Sequence, residues 1–158
     1  NVPGRTSSNM TAETTLRLAN DFENIIAIKE ASGDMSQIMD IINCKPSNFK
    51  VLSGDDAITL PIIAMGGEGV ISVLGQGLPN EFSSMVNFAM DNQIESARNI
   101  NYKILGFVNP LFAEGNPAGI KKMLKLLEIC DDGVRLPLVK ASEKIELNIK
   151  KGLANLKS

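Results

Sequence analysis

The stretch Asn24-Ile25-Ile26-Ala27-Ile28-Lys29-Glu30-Ala31 decides how the chain is interpreted, because it is an apolar run with a basic residue near its end. Its isoleucines favour a β-strand, and a strand of a parallel sheet is covered on both faces. Alternation along the strand places Ala27 and Lys29 on one face, and Ile28 and Glu30 on the other. The sequence therefore predicts a buried strand that directs Lys29 into an interior lined by small side chains.

Lys29 is the first candidate for chemistry. Burial disfavours the charged ammonium form of a lysine, and a neutral amine can attack a ketone to form a Schiff base. The alternative is that Lys29 ends the strand and extends its amine to solvent. The spacing alone favours this second interpretation, so both stay open on the residue pattern.

Helices and strands alternate as far as Asp91. In order, the periodicity predicts a helix over 35–43, a strand over 49–53, a helix ending at Met65, a strand over 69–73 and a helix over 79–91. Asp55 or Asp56 is expected to cap the second helix, and Pro79 to lie in the first turn of the third. Strands and helices joined by short links predict βαβ units and a parallel sheet.

The last third of the chain has helical periodicity without a strand pattern. It covers 94–112, 117–128 and 143–156, with Asn116 and Ser142 as expected caps of the last two helices. We therefore predict two domains, an α/β domain over 1–92 and a helical domain over 93–158.

Composition excludes several classes of protein. With 16 Lys plus Arg against 18 Asp plus Glu, the net charge is −2, which is unlike a nucleic-acid-binding protein. No apolar run approaches the roughly 18 residues needed to cross a bilayer. Histidine is absent, which excludes Ser-His-Asp and Cys-His catalysis and histidine-ligated zinc. We expect no cofactor and no metal, and we interpret Lys121, Lys122 and Lys125 as a solvated helix face.

The two cysteines and the single tyrosine receive no catalytic role. Cys44 and Cys130 lie 86 positions apart and form no CxxC pair. They could form one disulfide, but free buried thiols in a reducing cytoplasm are the favoured interpretation. Tyr102 lies within a predicted helix, where it packs or is partly exposed.

Three short motifs are further candidates. Ser53-Gly54-Asp55-Asp56 follows a strand, where α/β folds bind ligands, although a plain helix cap is favoured on spacing. Gly66-Gly67-Glu68-Gly69 precedes a strand, so it is a tight turn and not a phosphate loop. Arg5 follows Pro3-Gly4, where it could bind a carboxylate in bidentate fashion or be a surface arginine.

The beginning of the chain predicts an incomplete barrel. Asn1–Thr6 looks like the exit of a strand, and about three βα units follow. A closed (β/α)₈ barrel needs roughly 200–250 residues, whereas an open three-stranded sheet exposes an edge. We therefore expect a fragment, or one half of a processed chain.

Six motifs occur in the order in which one enzyme family carries them. They are Asn1-Val2-Pro3-Gly4-Arg5-Thr6, Ile28-Lys29-Glu30-Ala31-Ser32-Gly33, Leu52-Ser53-Gly54-Asp55-Asp56, Gly66-Gly67-Glu68-Gly69-Val70-Ile71-Ser72-Val73, Asn116-Pro117 and Arg135-Leu136-Pro137-Leu138. Together they closely resemble the C-terminal half of the 4-hydroxy-tetrahydrodipicolinate synthase (dihydrodipicolinate synthase) family, over essentially all 158 residues.

The resemblance implies the second half of a (β/α)₈ TIM barrel followed by a C-terminal α-helical domain. It implies a cytoplasmic lyase that condenses pyruvate with L-aspartate-4-semialdehyde in lysine and diaminopimelate biosynthesis. On this resemblance Lys29 forms the Schiff base with pyruvate, and Arg5 binds the semialdehyde carboxylate. Gly54 falls in the loop that meets the second substrate, and the Ile71 backbone lies beside the pyruvyl adduct.

The resemblance also implies partners and leaves alternatives. Family members form homotetramers, partly through segments around Met35 and Met65, and this chain would need the N-terminal half of the barrel. That half would carry the proton-relay tyrosine, which in the family stands immediately before the residue matching Asn1, and the site of feedback inhibition by lysine. The related N-acetylneuraminate lyase shares the barrel and the lysine, but Arg5-Thr6 and Ser53–Asp56 look like the synthase. Another pyruvate aldolase, or a non-catalytic fragment, is the alternative.

Overall fold

The computed structural model describes residues 1–156. They form two compact units. The first comprises Asn1–Ser72 and Val86–Ile94, and the second comprises Val73–Met85 and the described residues from Glu95 onwards. The predicted boundary between 92 and 93 remains a prediction.

The first unit begins with two helices and then alternates strands with helices. Its elements are α1 (Pro3–Thr6), α2 (Ala12–Asp21), β1 (Ala27–Glu30), α3 (Met35–Cys44), β2 (Lys50–Ser53) and α4 (Thr59–Ala64). Helix α5 (Pro79–Met90) is shared between the units. The remaining elements lie in the second unit, except that Ile94, the first residue of α6, is in the first unit. They are a 3₁₀ turn over Leu74–Gln76, α6 (Ile94–Ile104), a 3₁₀ turn over Leu105–Phe107, α7 (Val108–Phe112), α8 (Ala118–Leu126) and α9 (Glu143–Leu156).

The predicted βαβ unit is confirmed. Strands β1 and β2 pair in parallel, with Lys29 opposite Leu52 and Glu30 opposite Ser53. The chain crosses between them through α3, whose Asp34 cap accepts a hydrogen bond from the Gln37 amide at 3.1 Å. The ladder continues on the other edge of β1, where the Asn1 backbone nitrogen donates to the Lys29 carbonyl at 2.9 Å.

One face of this small sheet is buried against helices. The core of the first unit consists of Ile28, Ile38, Ile41, Phe49, Val51 and Ile62. Ile28 and Glu30 of β1 are buried whereas Ala27 and Lys29 are half-buried, so the alternation expected from the sequence is confirmed. The helix-covered face fixes the strand register, because a slip by one residue would move the apolar side chains to the other face.

Several local predictions for the first unit were wrong. Helix α2, which Thr11 caps through a hydrogen bond from the Thr14 amide, was not predicted. The strand over 69–73 is reduced to a single parallel bridge between Ser53 and Val70, because the chain turns into a 3₁₀ helix from Leu74. Helix α4 begins after Ile58 without a side-chain cap, since the Asp55 carboxylate instead accepts from the Ala57 amide at 2.9 Å.

The second unit is helical in the part of the chain described, as predicted. The single helix expected over 94–112 is interrupted at Leu105–Phe107. Pro110 explains the break, because it has no N–H for the Gly106 carbonyl and its ring clashes with that carbonyl in a continuous α-helix. Asn116 does not cap α8, which begins after Pro117 without a side-chain cap. Ser142 does cap α9, since its Oγ accepts from the Ile145 amide at 3.5 Å.

The prediction of a solvated lysine face on α8 was wrong for Lys122. This side chain is buried, and its Nζ lies 2.6 Å from Asp132 and 3.3 Å from Glu146. Hydrogen bonding to Asp132 raises the pKa of Lys122, and the bonds from Lys122, Lys140 and Lys125 hold the pKa of Asp132 well below its usual value. The cluster joins the segment before α9 to α8 within this unit.

Both cysteines are free, as favoured, but the expectation that they are buried was wrong, because Cys44 and Cys130 are exposed. Tyr102 is also exposed, by 69%. No helix within residues 1–156 is long and apolar enough to cross a membrane.

Candidate active site

Lys29 lies at the carboxyl end of the parallel pair, on the face opposite the helix-covered core. Its side chain is half-buried. Within the described residues, its Nζ makes no hydrogen bond or ion pair. An amine held on a strand without a protein partner has its reactive nitrogen available to a ligand.

Gly54 lies directly against the Lys29 side chain. A Cβ built on Gly54 would come within 2.7 Å of Lys29 Cε and 3.0 Å of Lys29 Cγ. The Gly54 amide donates to the Glu30 carbonyl at 2.7 Å, which continues the ladder beyond β2. The structure thus brings together two of the predicted site residues.

Ile71 reaches the same end of the sheet through its backbone. Its amide donates to the Ser53 carbonyl at 2.9 Å, and the Ser53 amide donates to the Gly69 carbonyl at 2.8 Å. The Ile71 side chain is 49% exposed. The Ile71 backbone is therefore bonded to the residue that immediately precedes Gly54.

The loop after β2 is held by hydroxyl groups. Ser53 is buried, its Oγ accepts from the Asp55 amide at 3.2 Å, and it lies 3.0 Å from Thr59 Oγ1. Thr59 Oγ1 donates to the Asp55 carbonyl at 2.8 Å. These bonds fix the backbone on both sides of Gly54.

Arg5 is exposed in the last turn of α1. This helix starts two residues after Asn1, whose backbone bonds to Lys29 and, through its carbonyl, to the Ala31 amide at 2.9 Å. The start of α1 is thereby joined to the end of β1.

Glu30 supports the site and was not singled out from the sequence. Its side chain is fully buried beside Lys29 in the chain. The carboxylate accepts from the Ser32 amide at 2.6 Å, from Gln37 Nε2 at 3.1 Å, and from Asn1 Nδ2 at 3.1–3.2 Å. The sequence did contain a signal for this role. Strand alternation places Glu30 on the same face as Ile28, and a carboxylate on a covered face needs hydrogen-bond donors.

Glu68 holds the turn that leads into Ile71. Its carboxylate lies 2.9 Å from Lys50 Nζ and 3.5 Å from Lys45 Nζ, and it accepts from the Val51 amide at 3.1 Å. Burial raises the pKa of Glu68, but hydrogen bonds from Lys50 and Val51 and the charge of Lys45 outweigh it, so the pKa lies below its usual value. Within residues 1–156, no group of three or more thiols and carboxylates is placed to hold a metal ion.

Lys29 and Gly54 lie at the carboxyl end of parallel strands, which is where (β/α)₈ barrel enzymes carry their active sites. The model of the dihydrodipicolinate synthetase family matches residues 1–156, and the chain belongs to that family. It is 51% identical over 145 residues to the 4-hydroxy-tetrahydrodipicolinate synthase of Flavobacterium psychrophilum, covering 92% of this chain and 50% of that protein. It is 55% identical over 139 residues to the synthase of Phocaeicola vulgatus, covering 88% and 47%.

Solved structures of dihydrodipicolinate synthases also match this chain. The dihydrodipicolinate synthase of Thermotoga maritima matches with a TM-score of 0.96 at 35% identity, over 99% of this chain and 54% of that one. The Acinetobacter baumannii synthase, determined in complex with pyruvate, matches with a TM-score of 0.94 at 32% identity, over 99% and 54%. The chain spans about half the length of the relatives it matches. The predicted fold class, the second half of a (β/α)₈ barrel followed by a helical region, is confirmed.

Proposed function

We propose that this chain provides the nucleophile of a 4-hydroxy-tetrahydrodipicolinate synthase, a lyase of lysine and diaminopimelate biosynthesis. The observation that carries the proposal is the Lys29 amine, which is half-buried at the carboxyl end of β1 and without a partner among residues 1–156. The family match and the pyruvate complex of the Acinetobacter baumannii relative support pyruvate as its substrate.

The chemistry follows from an amine and a 2-oxo acid. Lys29 Nζ attacks the ketone carbon of pyruvate, and loss of water from the carbinolamine gives an imine. Removal of a proton from the methyl carbon gives an enamine, whose carbon attacks the aldehyde of L-aspartate-4-semialdehyde. The amino group of that substrate can then displace Lys29 and close the ring.

The other site residues have supporting roles in this proposal. Arg5 binds the carboxylate of the semialdehyde, because an exposed guanidinium can form two parallel bonds to a carboxylate. Gly54 lies in the loop that meets the second substrate, and the Ile71 backbone lies beside the pyruvyl adduct. The hydrogen bonds that join Ser53 to Ile71 and Gly54 to Glu30 support both roles. The N-terminal half of the barrel supplies the proton relay, and the complete enzyme is the protein that contains both that half and this chain.

The proposal extends to organisation and location. The barrel portion comprises 1–92 and the helical domain 93–158, and the enzyme is a cytoplasmic homotetramer. Met65, which is 47% exposed after α4, supports an apolar contact between subunits. Two free, exposed thiols support a reducing compartment.

Reductive trapping tests the function. The complete enzyme is incubated with pyruvate and borohydride, digested, and the adduct is located by peptide mass spectrometry. We expect the adduct on the peptide that contains Lys29 and none after Lys29→Ala, with Lys50→Ala as a control that still traps. An adduct on another lysine, or none at all, would refute the proposal.

A further inference from the structure

The contact between Gly54 and Lys29 is closer than any side chain would allow. A Cβ at Gly54 would lie 2.7 Å from Lys29 Cε and 2.8 Å from the Ala31 Cβ, and real Cβ atoms essentially never approach other atoms this closely. The absent side chain therefore leaves the space in which the stem of the lysine lies. Gly54 is not one of the glycines with a positive φ. A glycine is therefore needed at position 54 because a side chain would not fit, and not because of an unusual backbone conformation.

The backbone at Gly54 is fixed, so it cannot withdraw from the lysine. Its amide donates to the Glu30 carbonyl at 2.7 Å, and Glu30 is fully buried. The preceding residue, Ser53, is bonded through its backbone to Gly69 and Ile71. The Lys29 side chain is the more flexible partner in the contact. Its Cγ and Cε atoms face Gly54, and the amine nitrogen is bonded to Cε.

We propose that Gly54 is a positioning residue for the Lys29 amine, in addition to lying near the second substrate. The fixed Gly54 backbone forms one wall of the channel that holds the lysine stem, and this wall selects the side-chain conformation that presents Nζ. A methyl group at position 54 displaces Cε and with it the nitrogen. A displacement of about 1 Å at a reacting group costs on the order of 10²-fold in rate.

This inference rests on the proposed function, because both concern Lys29, but different experimental results would refute each of them. The wild-type complete enzyme must trap pyruvate on Lys29 for the function to hold. The inference concerns only how fast Gly54→Ala traps relative to wild type.

The test measures the rate of pyruvate trapping on Lys29 at saturating pyruvate, together with the unfolding temperature, in the complete enzyme. Gly54→Ala is compared with Gly106→Ala, a control whose new Cβ meets nothing within 4 Å. We expect trapping by Gly54→Ala to be slower by about 10²-fold and trapping by Gly106→Ala to be unchanged. Trapping by Gly54→Ala at the wild-type rate would overturn the inference.

A double variant separates positioning from simple loss of structure. Gly54→Ala with Ala31→Gly removes the clash with Ala31 but keeps the clash with Lys29 Cε. We expect the unfolding temperature to recover toward wild type while trapping stays slow. Recovery of trapping together with stability would show that the Gly54→Ala defect is structural, and it would overturn the inference.

Discussion

Arg5 and Lys29 divide the two substrates between them in the proposed reaction. Lys29 is half-buried on β1, whereas Arg5 is exposed on α1, the helix that follows the Asn1 pairing. In the proposed reaction the Arg5 guanidinium binds the carboxylate of the semialdehyde, and Lys29 binds pyruvate as the imine. The roles are thus separable by mutation.

Replacement of Arg5 by alanine should weaken use of the semialdehyde and leave imine formation intact. A lost bidentate charged contact costs about 2–4 kcal/mol, which corresponds to roughly 30- to 1000-fold in kcat/KM for the semialdehyde. Steady-state kinetics of the complete enzyme measure this loss, and borohydride trapping measures the imine, with Arg17→Ala on α2 as the control. An equal loss of pyruvate trapping would contradict the division of roles.

At the scale of elements, the sequence predicts those helices and strands whose buried apolar residues recur at a regular spacing. The β1–α3–β2 unit was predictable because one apolar face recurs at strand and then at helix spacing. The reduction of the strand over 69–73 to a bridge at Val70 depends on where the chain turns, and the break at Leu105–Phe107 follows from Pro110. Apolar periodicity alone records neither. Lys29 was visible as a lysine in an apolar run, whereas its contact with Gly54 required the register of two strands.

The turn over 66–69 should lose stability in acid, because Glu68 holds it only as a carboxylate. Its pKa is lowered in the folded protein, so its contribution is complete above the usual glutamate value of 4.5 and is lost as the pH falls below that value. Glu68→Gln removes the charge on both lysine pairs, and because Glu68 is partly exposed we expect a cost of about 0.5–2 kcal/mol at pH 7. Urea unfolding at pH 7 and pH 3.5 measures it.

The difference between Glu68→Gln and wild type should shrink at the lower pH, since below the usual value the unfolded chain binds a proton at Glu68 more readily than the folded chain does. Glu23→Gln, at an exposed position in the turn before β1, is the matched control for loss of a glutamate charge. A difference that is constant from pH 7 to pH 3.5 would show that the charge on Glu68 does not stabilise the turn.

At the scale of the whole molecule, the sheet in the described residues has two strands, extended by the Asn1 pairing and the Val70 bridge. A barrel closes by pairing every edge, so the open edges are surfaces to which further strands can add. In the proposed enzyme, the N-terminal half of the barrel supplies those strands, which agrees with a match to about half of each relative.

Chain 1–158 alone should not turn over pyruvate and semialdehyde at the rate of the complete enzyme. The proposed relay tyrosine lies in the other half, and loss of acid–base assistance costs about 10²–10⁴-fold in rate. The Lys29 face of the sheet would also be open to water in the chain alone. Of the groups that position the Lys29 amine, only Gly54 would then be present. The measurement is turnover by the purified chain of confirmed intact mass, before and after addition of the N-terminal half. Activity should rise by at least 10²-fold on addition, whereas full activity of the chain alone would show that a group within residues 1–158 transfers the proton.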